Sequence, residues 1–399
     1  MNVVILGAGR VGSAMAIDLA KDKRFHVLVA DRDERSLEAL RTGYGIPGER
    51  IDVSLESSVR RVVAKADFVI SAVPGFLGFR TLEAILESGK NVVDIAFFPE
   101  DPFALDELAR AKKVTALVDC GVAPGMSNLL VGHIAAGLQR TDRVRIYVGG
   151  LPSVRQWPYE YKAGFSPSDV IEEYTRPARF VRGGKVEVCP ALSELELIDF
   201  PDLGTLEAFV TDGLRTLAHT IDAPDMIEKT MRYPGHAERM HMLRETGFFS
   251  ETPIDIDGVS VRPIDVATRL LFPMWQMGEG DEDITIMRIV VEGLGPKGLG
   301  PNGPGPDGLG LKGGVRTTYD LVDRYDRATG TTAMARTTGY TATTAVRMLA
   351  AGLFSEPGVI PPERLGRDAA CTEFILSGLR ERGIVYRKSV EPLEVAASA

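Results

Sequence analysis

Val3-Val4-Ile5-Leu6-Gly7-Ala8-Gly9-Arg10-Val11-Gly12 decides the reading of the first half of this chain. Four apolar residues predict a buried strand, and Gly7, Gly9 and Gly12 follow in the spacing G-x-G-x-x-G before a helical run that starts near Val11. The first glycine permits a tight turn, the second lets the backbone approach a pyrophosphate, and the third lets the helix pack closely on the strand. The helix start, with Arg10 and Val11, then offers free N–H groups and a positive dipole end to an anion. Asp31, at the end of the second predicted strand, stands where a carboxylate takes the adenine-ribose hydroxyls of a dinucleotide. This favours NAD, because Asp31 repels a 2′-phosphate, although the adjacent Arg32 is placed either to stack on the adenine or to attract that phosphate. Ser71-Ala72-Val73-Pro74 closes a later strand, as a passage for the nicotinamide half or simply as a strand-to-helix turn.

Outward from this turn, short β-branched runs alternate with amphipathic ones. Strands are predicted at Val3 to Leu6, Val27 to Ala30, Phe68 to Ala72, Val92 to Ile95 and Thr115 to Val118. Helices are predicted at Val11 to Lys21, Glu34 to Arg41, Ser57 to Lys65, Gly78 to Glu87 and Pro102 to Ala111. Such alternation means βαβ units and a parallel sheet, hence an α/β fold with a doubly wound Rossmann domain over 1–124. After a helix at Ser127 to Gln139, the runs lengthen at Arg143 to Gly149, Arg179 to Val188 and Ile284 to Glu292, with long polar connections between them. They predict a second, α+β domain with a mixed sheet over 125–340, for substrate binding and oligomerisation. Within it, Gly293 to Gly314 is almost pure Gly and Pro; it reads as a mobile surface insert at the tip of a hairpin whose second arm is Val315 to Asp323. Thr341 to Ala351 and Ala369 to Arg382 are helical in pattern, so 341–399 is expected to pack back on the first domain.

Composition narrows the function. Of the 399 residues, 44% are hydrophobic and 25% charged, as in ordinary globular protein, and the length exceeds what one core usually supports. A net charge of −9, with no long basic run, argues against nucleic acid as a partner. No apolar stretch approaches the roughly 20 residues needed to span a bilayer, so no membrane partner is expected. Three widely spaced cysteines, Cys120, Cys189 and Cys371, make neither a disulfide framework nor a metal clip; they fit a cytoplasmic protein without a metal.

Several segments resemble the saccharopine dehydrogenase-like family, especially its lysine 6-dehydrogenase branch. They include Ala72-Val73-Pro74-Gly75-Phe76-Leu77-Gly78-Phe79, Val118-Asp119-Cys120-Gly121-Val122-Ala123-Pro124-Gly125, Tyr147-Val148-Gly149-Gly150-Leu151-Pro152, and Tyr161-Lys162 with Phe165-Ser166-Pro167. Glu172-Glu173-Tyr174-Thr175-Arg176-Pro177-Ala178-Arg179 and Arg232-Tyr233-Pro234-Gly235-His236 point more towards the lysine branch. The resemblance implies NAD-linked oxidative deamination of the ε-carbon of L-lysine, giving allysine, which cyclises to a piperideine carboxylate. It also implies a homodimer or higher homo-oligomer. The same fold hosts saccharopine reductases and carboxynorspermidine-type imine reductases using NADP(H), which form the alternative.

Oxidising an amine by hydride transfer requires the neutral amine. Deprotonating a free lysine amine at pH 7 costs roughly 4.6 kcal/mol, so a base or a neighbouring cation is needed. Lys162, beside Tyr161, is the leading candidate for either role, the alternative being an exposed surface cation. Asp94 and Asp119, at the C-terminal ends of two Rossmann strands, are candidates for holding the amine or activating water, or else for capping a turn. Arg176, Arg179 and Arg215 are candidates for gripping the substrate carboxylate. Asp212, three residues before Arg215, is placed to pair with it on one helical face, and His236 to form a polar wall.

Overall fold

The computed structural model describes residues 1–164, 167–200, 202–278, 280–296 and 314–393. These divide into two compact units. One comprises Met1–His133 with Met334–Val385, and the other Ile134–Ala333 with the chain from Tyr386.

The first unit alternates strands and helices in the order β1 (Asn2–Leu6), α1 (Arg10–Ala20), β2 (His26–Asp31), α2 (Glu34–Tyr44), β3 (Gly48–Arg50), α3 (Glu56–Val63), β4 (Phe68–Ser71), α4 (Gly75–Glu87), β5 (Asn91–Asp94), α5 (Asp106–Lys112) and β6 (Thr115–Leu117). Helix α6 (Met126–Gly137) leads out of it. The sheet is wholly parallel and runs β3-β2-β1-β4-β5-β6, the Rossmann order, with a further strand beyond β6. Its inner strands are buried on both faces, so they read as continuous apolar runs such as Val3 to Leu6 rather than alternating ones, while the edge strand β3 is partly exposed.

The second unit contains β7 (Leu138–Pro152), α7 (Pro167–Thr175), β8 (Ala178–Arg182), β9 (Lys185–Cys189), β10 (Glu196–Phe200), β11 (Gly204–Val210), α8 (Leu217–Thr220), β12 (Asp225–Arg232), α9 (His236–Glu245), β13 (Ile254–Ile256), β14 (Val259–Val261), α10 (Pro263–Trp275), β15 (Asp283–Pro296) and β16 (Gly314–Arg324). Its main sheet runs β10-β11-β12-β7-β15-β16 and is mixed, because β12 pairs with β7 in parallel while the other neighbours are antiparallel. The run Arg179 to Val188, expected as one segment, is instead the hairpin β8–β9. Gly183 and Gly184 both have positive φ, the conformation a two-residue turn demands. The arms β15 and β16 pair from Ile284↔Arg324 to Leu294↔Gly314; of the Gly/Pro insert between them, 297–313 lie outside the described residues.

The chain continues as α11 (Ala333–Ala350), β17 (Gly358–Ile360), α12 (Pro362–Gly366), α13 (Ala369–Glu381) and β18 (Tyr386–Pro392). β17 is the further strand beside β6. Asp18 of α1 accepts bonds from Thr343 and Arg347 of α11 and from Arg382 just after α13, which fastens these helices to the Rossmann core. The end of the chain departs from the expectation for 341–399. β18 pairs with β16 and closes the edge of the second sheet, where an unpaired strand otherwise exposes its backbone groups.

Candidate functional site

The glycine turn has the geometry its spacing demands. Gly7 has φ +112°, and a Cβ there would lie 2.4 Å from the Ala72 carbonyl oxygen; one on Gly12 would lie 2.0 Å from that of Gly7. A Cβ on Gly9 would meet nothing within 4 Å, so the backbone at the start of α1 faces open space. No side chain caps that helix end, and its first turn carries no acid, with Arg10 its first residue. This is a cradle for phosphate. Asp31 is fixed at the tip of β2, accepting from the Ala8 N–H at 2.5 Å and the Asp33 N–H at 2.8 Å. Arg32 is exposed beside it, and its charge helps hold the Asp52 carboxyl below the ordinary value, behind the hydrogen bonds from Ser54. Ser71 ends β4 fully buried, and Ala72, Val73 and Pro74 lead into α4. The residues present therefore fit a dinucleotide.

Asp94 and Asp119 lie at the C-terminal edge of the same sheet, both buried. Asp94 ends β5 and accepts from the Ala96 N–H, while Asp119 sits past β6 with φ +50°. Burial, with the charges of both aspartates added, pushes the neighbouring Cys120 thiol up to about 12, so it stays protonated and inert. Among the described residues, no three His, Cys, Asp or Glu side chains gather to hold a metal.

The second unit builds a different kind of cluster. Tyr161, on the loop after β7, packs with Tyr174 of α7, His236 of α9 and Trp275 of α10. His236 bonds the Tyr159 carbonyl through Nδ1 and the Tyr174 hydroxyl through Nε2, each at 2.9 Å. A carbonyl only accepts, so Nδ1 carries the proton and Nε2 accepts from Tyr174. Burial, reinforced by the charge of Arg232, lowers the His236 pKa to about 3; the ring is neutral. Arg232, at the end of β12 and 2% exposed, lies 4.5 Å over the Tyr161 ring and pairs with Glu173 of α7. Burial pushes the Glu173 carboxyl above its ordinary value, and Arg232 opposes that shift. The Tyr161 hydroxyl, Trp275 Nε1 and Arg232 Nε are buried without a hydrogen-bond partner. Three polar groups thus stand unsatisfied in one aromatic wall, a cost that a polar ligand would relieve.

Lys162 follows Tyr161 but is no free surface cation. Its Nζ lies 3.4 Å from Asp281 and donates to the Gln276 carbonyl at 3.3 Å, with the side chain 17% exposed. The adjoining Phe165 and Ser166 lie outside the described residues.

The arginine candidates are spread differently from expectation. Arg176 pairs with Glu172 one turn earlier on α7. Arg179 is gripped by Asp212 through two bonds of 2.8 Å. Asp212 is thus taken up by Arg179, and the expected pairing with Arg215 on one helical face does not form: Arg215 has φ +51°, so 212–215 is a turn rather than a helix. Arg215 is itself buried. Arg232 and Glu173 are not among the candidates that the sequence suggests, although both stand in the segments that carry the resemblance. A signal was available in β12, where Glu228, Thr230 and Arg232 alternate along one face of a central strand and are all buried.

Comparison with known proteins agrees with this architecture. Residues 3–117 match the saccharopine dehydrogenase NADP binding domain and 121–384 the saccharopine dehydrogenase C-terminal domain. The chain is 26% identical over 268 residues to a saccharopine dehydrogenase [NADP(+), L-glutamate-forming] of Schizosaccharomyces pombe, covering 63% of this chain and 59% of that protein. It is 22% identical over 409 residues to the carboxynorspermidine synthase of Vibrio cholerae, covering 92% and 93%. The chain spans less than two thirds of the length of the first curated relatives it matches. Apo saccharopine dehydrogenase (L-Glu forming) from Saccharomyces cerevisiae has the same fold, with a TM-score of 0.75 at 20% identity over 98% of this chain and 99% of that one. With both domains matched in order and the dinucleotide turn intact, the chain belongs to the saccharopine dehydrogenase family.

Proposed function

We propose that this oxidoreductase removes the ε-amino group of L-lysine by oxidation to allysine, using NAD. The observation that carries the reading is the second-unit cluster, where Arg232, Tyr161 and Trp275 hold unsatisfied donors among buried aromatic rings. Such donors suit an amino acid's carboxylate, and the aromatic faces suit an aliphatic side chain or an amine. Arg232 grips the carboxylate, with Arg176 just past α7, Arg179 on β8 and Arg215 on the 211–216 turn as the other candidates for it. His236, held neutral, forms the polar wall and leaves the positive charge to Arg232. Lys162 takes part in removing the amine proton, with Asp94 and Asp119 as the alternative carboxylates. A nicotinamide held there would accept the hydride, and water would hydrolyse the resulting imine to allysine with release of ammonia. Gly7, Gly9 and Gly12 hold its pyrophosphate and Asp31 its ribose; Arg32 is the residue that would favour a 2′-phosphate.

A second reading is the reverse chemistry, reduction of an imine with NADPH. It is favoured by the relatives that use NADP(+) and by the near full-length match to a carboxynorspermidine synthase. The chain acts in the cytoplasm as a homo-oligomer in either reading. Its three cysteines are free, and α10 exposes an apolar stripe of Val266, Leu270 and Met274. The deciding assay offers a panel of amino acids with NAD and with NADP and follows the reduced nicotinamide. Turnover of L-lysine with NAD is expected. Turnover confined to saccharopine, or to an aldehyde and an amine with NADPH, overturns the proposal in favour of the second reading.

A further inference from the structure

A further carboxyl, Glu228, is buried on β12 and only 3% exposed, and it feels the charges of Glu173 and Asp212. Its Oε2 accepts from the Thr211 hydroxyl at 2.6 Å and from the Gly213 N–H at 3.1 Å, and Thr211 is linked in turn to the Thr230 hydroxyl at 2.8 Å. Contact with the turn is tight: a Cβ on Gly213 would lie 2.4 Å from the Glu228 carboxyl carbon. That turn carries Asp212, which clamps Arg179, and the left-handed Arg215. On the other side, Glu173 belongs to the Arg232 pair. The charges that act most on Glu228 are Glu173 from α7 and Asp212 from the turn, each already committed to one arginine, and the same turn carries the buried Arg215.

We infer that Glu228 is a positioning residue that, through the Thr211 hydroxyl and the Gly213 N–H, holds the 211–216 turn, and so Asp212, Arg179 and Arg215, in the geometry the substrate requires. Of the carboxyls here, Glu173 and Asp212 already hold Arg232 and Arg179, so a charge on Glu228 would be a further buried negative charge beside two committed pairs. Burial is the main cause that moves the Glu228 pKa up to about 8. The donors from Thr211 and Gly213 oppose the shift, and the charges of Glu173 and Asp212 add to it. Around that pH the proton leaves, a charge develops beside Asp212, and the turn loosens. This role rests on the proposal that the second-unit arginines face the substrate.

The test separates the two layers. A carboxyl whose folded pKa is raised destabilises the fold progressively as pH climbs from its ordinary value, because the unfolded chain releases the proton first. The melting temperature of the wild-type chain, relative to that of Glu228→Gln, should therefore fall between pH 5 and about 8 and then run parallel to it. Glu228→Gln keeps an acceptor for Thr211 and Gly213 without the charge. It should match wild-type kcat and KM at pH 7, and lose the rise in KM that the wild type shows above about pH 8. Glu228→Ala should raise KM about tenfold with less effect on kcat, as expected for the loss of a hydrogen-bonded support. A melting difference that is flat with pH overturns the inference whatever the kinetics do. A pH-dependent melting difference with identical KM profiles for wild type and Gln variant overturns the positioning role and, with it, the placement of the substrate at these arginines.

Discussion

The glycine turn of the first unit and the aromatic cluster of the second solve the problem of ligand binding with opposite materials. In the first, Gly7, Gly9 and Gly12 act through backbone within a single strand-to-helix turn, and the decisive quantity is the absence of a Cβ. In the second, Tyr161, Tyr174, Arg232, His236 and Trp275, with the partly exposed Glu173, come from a loop, a strand and three helices, and act through their side chains. A backbone site is local and tolerant of its surroundings. A side-chain site depends on every element that buries it, so stability and function are entangled there.

The largest effect tests the chemical end of that contrast. Lys162→Met should keep cofactor affinity and fold while lowering the single-turnover rate by about 100-fold to 10,000-fold, the usual range for a proton-transfer or charge contribution. Near-native turnover at neutral pH would return Lys162 to a structural partner of Asp281 and make Asp94 and Asp119 the leading bases.

Acid should reveal the cluster before it troubles the turn. The folded pKa of His236 lies near 3, below the ordinary value near 6.5, so as pH falls through 6.5 the unfolded chain binds a proton that the native ring refuses. Stability should drop by several kcal/mol between about pH 6.5 and pH 3, and His236→Gln should flatten that limb in urea titrations at stepped pH. An acid limb unchanged in the variant would show that His236 charges freely.

Removing one partner of the buried pair is the next step down. Arg232→Met leaves the Glu173 carboxyl without its guanidinium and should cost about 3–5 kcal/mol of unfolding free energy, read from the urea midpoint. Cofactor affinity should be little changed, since the nucleotide turn uses none of these side chains.

Within the turn, a matched pair of alanines separates packing from ligand approach. Gly12→Ala meets the Gly7 carbonyl and should cost about 1–3 kcal/mol of stability or more. Gly9→Ala meets nothing and should leave the melting temperature unchanged while weakening cofactor binding about tenfold, measured by nucleotide fluorescence. Equal cofactor affinity for Gly9→Ala and wild type would remove the pyrophosphate from Gly9. The smallest effect is at Asp31→Ser, which should narrow the preference for NAD over NADP by several-fold; equal use of both by the unmodified protein would already refute the preference.

The residues themselves explain what was legible. The parallel sheet could be read because its inner strands are buried on both faces and its turn chemistry is local. Thus Val3 to Leu6 and Val92 to Ile95 lie within a residue of the observed β1 and β5. The three-residue strands β3 and β17 carry too little pattern to register, and β8–β9 read as one run because two glycines hardly interrupt it. Lys162 was seen as a cation, but its partner Asp281 lies more than a hundred residues away and no local rule points to it.

By itself, the sequence determined the dinucleotide turn, the alternation that builds the first sheet, the mixed character of the second and the family to which both belong. All of these depend on backbone conformation and on periodicities of two and 3.6 residues, which short windows contain. Only the tertiary structure decided that Asp212 serves Arg179, that Arg232 lies in the aromatic wall, and that Glu228 is crowded by Glu173 and Asp212. Those are facts about which charges share a low-dielectric interior, and desolvation depends on everything that surrounds a group rather than on its neighbours in the chain.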